Sequence, residues 1–134
     1  MLADDELGRR RERPGEPPDP SYVRAFDAID QDPNQKLLVL DHDGEVIGTL
    51  QLTFVPGLSH LGGLRLQVEA VRIDQRFRDR GLGRLIFEWV IDHARRTGCR
   101  MVQLTTNKSR PDAHRFYERL GFVASHHGMK LTLT

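Results

Sequence analysis

One cysteine, Cys99, is all that a chain of 134 residues offers, which excludes an internal disulfide and a thiolate metal cage. No apolar run reaches the length of a signal peptide or a membrane span, so the sequence reads as a reducing, cytoplasmic protein without a membrane partner. Charge of one sign is lacking as well: 20 basic residues against 19 acidic ones leave a net +1, with no overall field to draw the chain to nucleic acid. A small ligand or an ordinary protein partner suits that balance. The length is that of one ordinary domain and the composition shifts only after the first twenty or so positions, so residues 1–134 are expected to form a single domain.

What is there has a clear order. From Met1 to Pro20 the chain is charged and broken by Gly8, Pro14, Gly15, Pro17, Pro18 and Pro20. Its Arg9, Arg10, Arg11 and Arg13 are either a nucleic-acid contact or, as charge runs more often are, a solvated face. Tyr22, Ala25, Phe26 and Ile29 fit one face of a short helix ending before Pro33. Leu37 to Leu40 and Val46 to Phe54 read as two strands joined by a tight turn at Asp43-Gly44, with Leu50, Leu52 and Phe54 on one face. In the next strand, Leu64, Leu66, Val68 and Ala70 alternate in one phase, and Val71 and Ile73 continue in the other. Either a β-bulge lies between Ala70 and Val71, or the strand is apolar on both faces.

Leu82, Leu85, Ile86, Trp89, Val90, His93 and Ala94 then define a helix that stops at Gly98, and Met101 to Thr106 reads as a strand. Strand, helix and strand in that order predict a right-handed βαβ unit with parallel strands. Ser109-Arg110-Pro111-Asp112 reads as a capped helix start, with Ala113, Phe116, Tyr117 and Leu120 on the inner face and Gly121 as the stop. Phe122 to Leu133 reads as two short strands turning at His126-His127-Gly128.

Ligands of open sheets settle at the carboxyl ends of parallel strands, where helix N-termini present free N–H groups. Arg78 to Arg84 and Thr105 to Asn107 lie at such ends, whereas Cys99 enters its strand from the far side and reads as a small hydrophobe. The turn Arg78-Asp79-Arg80-Gly81-Leu82-Gly83-Arg84 suits a diphosphate, because glycine lets the ligand approach consecutive N–H groups. No Lys-Ser or Lys-Thr follows Gly83, so the P-loop pattern is absent, and the dinucleotide fingerprint lacks its third glycine. On spacing alone the turn is equally a plain helix entry.

The pattern Arg78-x-x-Gly81-x-Gly83, after a strand ending Val71-Arg72-Ile73 and before Phe116-Tyr117-Glu118-Arg119-Leu120-Gly121-Phe122, resembles the GNAT superfamily of N-acetyltransferases. The resemblance runs from about Lys36 to the C-terminus. It implies an α/β (α+β) fold with a mixed central sheet, a bulged and splayed parallel strand pair, and flanking helices. It further implies that Arg78, Asp79, Arg80, Gly81, Leu82, Gly83 and Arg84 hold the pyrophosphate of acetyl-CoA, and that backbone groups around Ala70 to Arg72, with Val71, Arg72 and Ile73 on the bulged strand, pair with the pantetheine arm. Asn107 matches a position that contacts the pantetheine or the helix opening. Tyr117 matches the general acid that protonates the departing thiolate, where spacing alone favours a core aromatic. Glu69 stands where a carboxylate deprotonates the incoming ammonium, and is otherwise an exposed strand residue.

The implied activity is direct acetyl transfer to a primary amine of a small molecule or peptide in a ternary complex, with no metal. A non-catalytic acyl-CoA-binding regulatory module, or transfer of another short acyl group, stands beside it. Two departures accompany the resemblance. Asp79 occupies a position where many members carry glycine. No first strand is found, and Leu2 to Leu7 resembles the tail of the first helix, so either the chain starts upstream or another subunit, as in a homodimer, covers the sheet edge.

Overall fold

A computed structural model describes residues 1–134 and divides them into two compact units, Met1–Gln103 and Leu104–Thr134. The first unit holds helices α1 (Glu6–Arg11) and α2 (Pro20–Gln31), strands β1 (Gln35–His42) and β2 (Glu45–Val55), a short turn α3 (Ser59–Gly62), strand β3 (Arg65–Ile73), helix α4 (Leu82–Arg96) and strand β4 (Met101–Gln103). The second unit contains helix α5 (Pro111–Arg119).

The four strands form one mixed sheet in the order β1-β2-β3-β4, antiparallel except for the β3/β4 pair. The β1/β2 hairpin closes through Asp43 and Gly44, both at positive φ, as the Asp-Gly pair predicts. Side chains alternate as expected: Leu50, Leu52 and Phe54 of β2 and Leu66 and Val68 of β3 are buried together on one face. Helix α4 packs on that face of β3 and β4 with Ile86, Phe87, Val90 and Ala94. Its inner face differs from the periodic reading, because Phe87 is 1% exposed whereas Leu85 and Trp89 are 60% and 45% exposed. The helix sits off-centre, so the sheet covers only part of its apolar stripe.

The register settles the phase slip. Gln51 opposes Glu69 and Thr49 opposes Arg72, so two steps along β2 match three along β3. One extra residue therefore lies in β3, and Ala70 absorbs it at φ 52. Both long helices of the βαβ region and its successor end alike. Gly98 donates to Arg95 O and Cys99 to Ala94 O after α4, and Gly121 donates to Glu118 O and Phe122 to Tyr117 O after α5. These are paired Schellman bonds around a glycine at positive φ. Cys99 is half-buried and serves this stop, in keeping with its reading as a small hydrophobe.

Four expectations need correction. Strand β4 ends at Gln103 rather than Thr106, because β3 offers it partners only from Arg65 to Gln67. Phe122 to Leu133 forms no strand: Met129, Leu131 and Leu133 do alternate, but each is at least 87% exposed, and alternation alone supplies no ladder. Ser109 does not cap α5; Arg110 occupies that position without a side-chain bond, while Ser109 donates its N–H and hydroxyl to Asn107 Oδ1. The N-terminal helix lies at Glu6–Arg11 rather than Leu2 to Leu7, since Asp5 Oδ1 accepts the Gly8 N–H and starts it there. As the sequence implies, β1 is an edge strand with no strand before it. No helix is long and apolar enough to cross a membrane.

His93 gives the first unit a pH dependence. Its ring stacks on Trp89 and meets Phe54 edge-on, and Nε2 is buried without a partner. Burial, and then Lys36 and Arg96, hold the imidazole below its ordinary 6.5, with Asp92 opposing. The unfolded chain therefore binds more protons than the folded one in that range. Stability is full above 6.5 and falls as pH drops from there toward the depressed value. Melting temperature measured between pH 8 and 5 should decline across this window in the parent, and a His93→Gln variant should flatten the decline. Asp19 and Asp74 titrate lower, the latter held down to about 2 by the Arg76 side chain and N–H, so their effects fall outside the window.

Candidate functional site

Three local features of the first unit meet the requirements of an anion-holding site. The first is the open edge of β3. Its parallel partner ends opposite Gln67, so the segment from Val68 to Ile73 has a strand neighbour on only one side. Within it Glu69 and Ala70 are exposed, and Val71, Arg72 and Ile73 are half-buried.

The second is the turn that follows. Asp74 accepts from the Arg76 N–H and side chain, and starts a single turn of 3-10 helix, Gln75–Phe77. Arg78 then donates Nε to Ile73 O at 3.3 Å, tying the loop back to the end of β3. Asp79 and Gly81 take left-handed conformations at φ 61 and 77, and α4 begins with no side-chain cap. Its first intrahelical bond is Leu85 N–H to Gly81 O. No backbone N–H from Asp79 to Arg84 has an acceptor within the chain, so the turn and the first residues of α4 present unpaired donors at the positive end of a 15-residue helix. A Cβ on Gly81 would meet nothing within 4 Å, so glycine is there for its φ and not for room within the chain.

The third is charge. Arg80 and Arg76 lie over the Phe77 ring at 5.2 and 5.5 Å, which stiffens the loop. Arg76 is committed to Glu45 and Asp74, and Arg84 to Glu88 at 2.9 Å. Arg78 and Arg80 form no ion pair and remain as free cations beside the N–H fan. Asp79 is the one carboxylate within the loop, and its left-handed φ explains why glycine would suit the position. No group of three His, Cys, Asp or Glu residues is placed to hold a metal ion.

Asn107 and Tyr117 belong to the second unit. Asn107 Oδ1 organises the turn into α5 by accepting twice from Ser109. Tyr117 is half-buried, its ring edge-on to Phe116 at 5.3 Å and Phe122 at 5.8 Å. Its carbonyl accepts the Phe122 N–H that closes the helix. Helix start and helix stop thus fix the backbone from which Tyr117 projects.

One set of residues escaped the sequence reading. On the sheet face away from α4, Gln51 Nε2 and Thr53 Oγ1 both donate to Gln35 Oε1, and Gln103 Nε2 donates to Gln67 Oε1 at 2.7 Å. This makes a row of half-buried amides across four strands. Its signal, polar residues at every second position, is visible only once the register is known.

Fold and loop together define a mixed α/β protein whose bulged strand feeds an uncapped helix through a glycine turn. The chain belongs to the GNAT acetyltransferase family, whose model matches residues 5–122. An aminoalkylphosphonate N-acetyltransferase of Salmonella typhimurium is 32% identical over 95 residues, covering 71% of this chain and 61% of that protein. A glucosamine 6-phosphate N-acetyltransferase of Trypanosoma brucei brucei is 33% identical over 91 residues, covering 67% and 59%. The chain thus spans about three fifths of the length of these curated relatives. The crystal structure of a transcriptional regulator from Bacillus halodurans C-125 is 49% identical, with a TM-score of 0.95, covering 99% of this chain and 89% of that one.

Proposed function

We propose that residues 1–134 act as one N-acetyltransferase domain that moves an acetyl group from acetyl-CoA to a primary amine by direct attack. The observation that carries this reading is the fan of unbonded N–H groups from Asp79 to Arg84 beside Arg78 and Arg80, directly after a strand with an open edge. A diphosphate satisfies the fan, and charge-assisted bonds from the two arginines add to it. The open backbone from Val68 to Ile73 pairs with the amide-bearing pantetheine arm. A bulge N–H near Ala70 or Val71 faces the thioester carbonyl and stabilises the oxyanion that grows during attack.

The amine must be neutral to attack, and Glu69, exposed beside the bulge, takes its proton directly or through water. Tyr117 gives a proton to the CoA thiolate, and Asn107 supports the pantetheine or the opening of α5. Both curated relatives are named for an amine carried on a molecule with a phosphonate or phosphate, which favours a small-molecule acceptor. A panel of amines with acetyl-CoA, read by release of the free CoA thiol, tests the reading; release should require both substrates, and no acyl-enzyme should accumulate.

Asp79 offers a further check. Replacing it by glycine relieves the left-handed strain and removes the one anion in the cradle. Asp79→Gly should bind acetyl-CoA roughly two- to fivefold more tightly at low salt, with the gain shrinking as salt rises. Calorimetric titration at two ionic strengths reads this out.

The similarity to a transcriptional regulator at 49% identity favours one second reading, a non-catalytic acyl-CoA-binding regulatory module. It predicts binding of acetyl-CoA without turnover of any amine in the panel.

A further inference from the structure

The bulge does more than open an edge. In an unbroken strand, residues three apart point to opposite faces. The extra residue at Ala70 restores their parity: Glu69 opposes Gln51 and Arg72 opposes Thr49, and Gln51 and Thr49 share the polar face of β2. Glu69 and Arg72 therefore stand on the same face, two residues apart in the frame of β2, about 7 Å along the strand.

Arg72 is poorly neutralised for its position. Its side chain is 14% exposed. Nη1 donates to Val71 O at 2.9 Å, Nη2 lies 3.8 Å from Asp5 Oδ2, and Nε is buried with no partner at all. Asp5 cannot compensate fully, since its other oxygen is engaged at 2.6 Å by the Gly8 N–H that starts α1. A guanidinium with one ion pair beyond hydrogen-bond length and an orphaned Nε–H is a buried charge short of acceptors. An oxyanion supplies them, and the planar edge of arginine binds two of its oxygens at once.

We propose that Arg72 is the anion subsite of the acceptor, so that the preferred substrate is a short zwitterionic amine. Its ammonium lies on the Glu69 side, its phosphonate, phosphate or carboxylate on Arg72, and the amide row of Gln51, Gln67 and Gln103 lies alongside. The proposal rests on the acetyl-transfer reading for its role in catalysis, but the subsite itself is a binding claim.

The test uses 2-aminoethylphosphonate, β-alanine and propylamine, which share an amine and differ in the anion. Kinetics with acetyl-CoA and calorimetry on CoA-loaded protein are run on the parent, Arg72→Met, which keeps the stem, and Arg72→Lys, which keeps the charge. The parent should prefer one or both zwitterions over propylamine, and comparing the two separates phosphonate from carboxylate. Arg72→Met should raise KM for the preferred zwitterion by roughly 10- to 100-fold. KM for propylamine and for acetyl-CoA should shift far less than that, because the strand's backbone and not the Arg72 side chain pairs with the donor, and Arg72→Lys should recover part of the loss.

A rise in KM for acetyl-CoA instead would assign the arginine to the donor's phosphates and overturn the proposal. So would an equal shift for all three amines together with a lowered melting temperature, the mark of a structural ion pair. If no amine turns over but a zwitterion binds the parent and not Arg72→Met, the subsite stands and acetyl transfer fails. Turnover without preference for an anion sinks the subsite alone, and absence of both binding and turnover sinks it too.

Discussion

A Tyr117→Phe variant should bind acetyl-CoA as the parent does while its kcat falls by roughly 100- to 10,000-fold, the range that a positioned acid supplies. The substitution removes one oxygen and leaves the ring contacts with Phe116 and Phe122 in place. The Schellman bond from Phe122 to the Tyr117 carbonyl is also kept, so the end of α5 stays in place. The defect should depend on pH. A departing thiolate needs a proton less as pH rises past the ordinary thiol value of about 8.5, so the gap between variant and parent should narrow there. Rapid-quench kinetics from pH 6.5 to 9.5 would read this, and an unchanged kcat would remove Tyr117 from the chemistry.

Gly81→Val should weaken acetyl-CoA binding by roughly 5- to 30-fold or more. At φ 77 a residue with a Cβ meets a cost of about 1–2 kcal/mol, and a β-branched one exceeds it. The loop relaxes rather than bear that strain, and the N–H groups of Leu82, Gly83 and Arg84 lose their common aim. Gly81→Asn separates this from a general loss of fold, because asparagine tolerates the left-handed region and should retain most of the affinity. Equal affinity in Gly81→Val and the parent, by calorimetric titration, would mean that the turn is only a helix entry.

The parts of this fold legible in the sequence are those encoded by neighbours in the chain. Leu50, Leu52 and Phe54 show their common face by alternation, and the slip at Ala70 and Val71 marks the bulge because parity is a local property. Gly98 and Gly121 announce helix ends through their need for positive φ. What stayed hidden depends on register or on a missing partner. Arg72 and Glu69 share a face only because of how β3 pairs with β2. Gln35, Gln51, Gln67 and Gln103 join into a row only across strands. Met129, Leu131 and Leu133 carry a strand's alternation, yet no neighbour takes their backbone bonds, so no strand forms. Asp79 shows its charge in the sequence, but its left-handed backbone, at φ 61, is visible only in the structure.

The proposed diphosphate site from Arg78 to Arg84 is tested most directly by comparing CoA with pantetheine, which lacks the diphosphate, by calorimetric titration at low and high salt. CoA should bind at least roughly tenfold more tightly, with an advantage that salt erodes and Gly81→Val reduces. Equal affinities for the two ligands, or an advantage that salt leaves untouched, would contradict it.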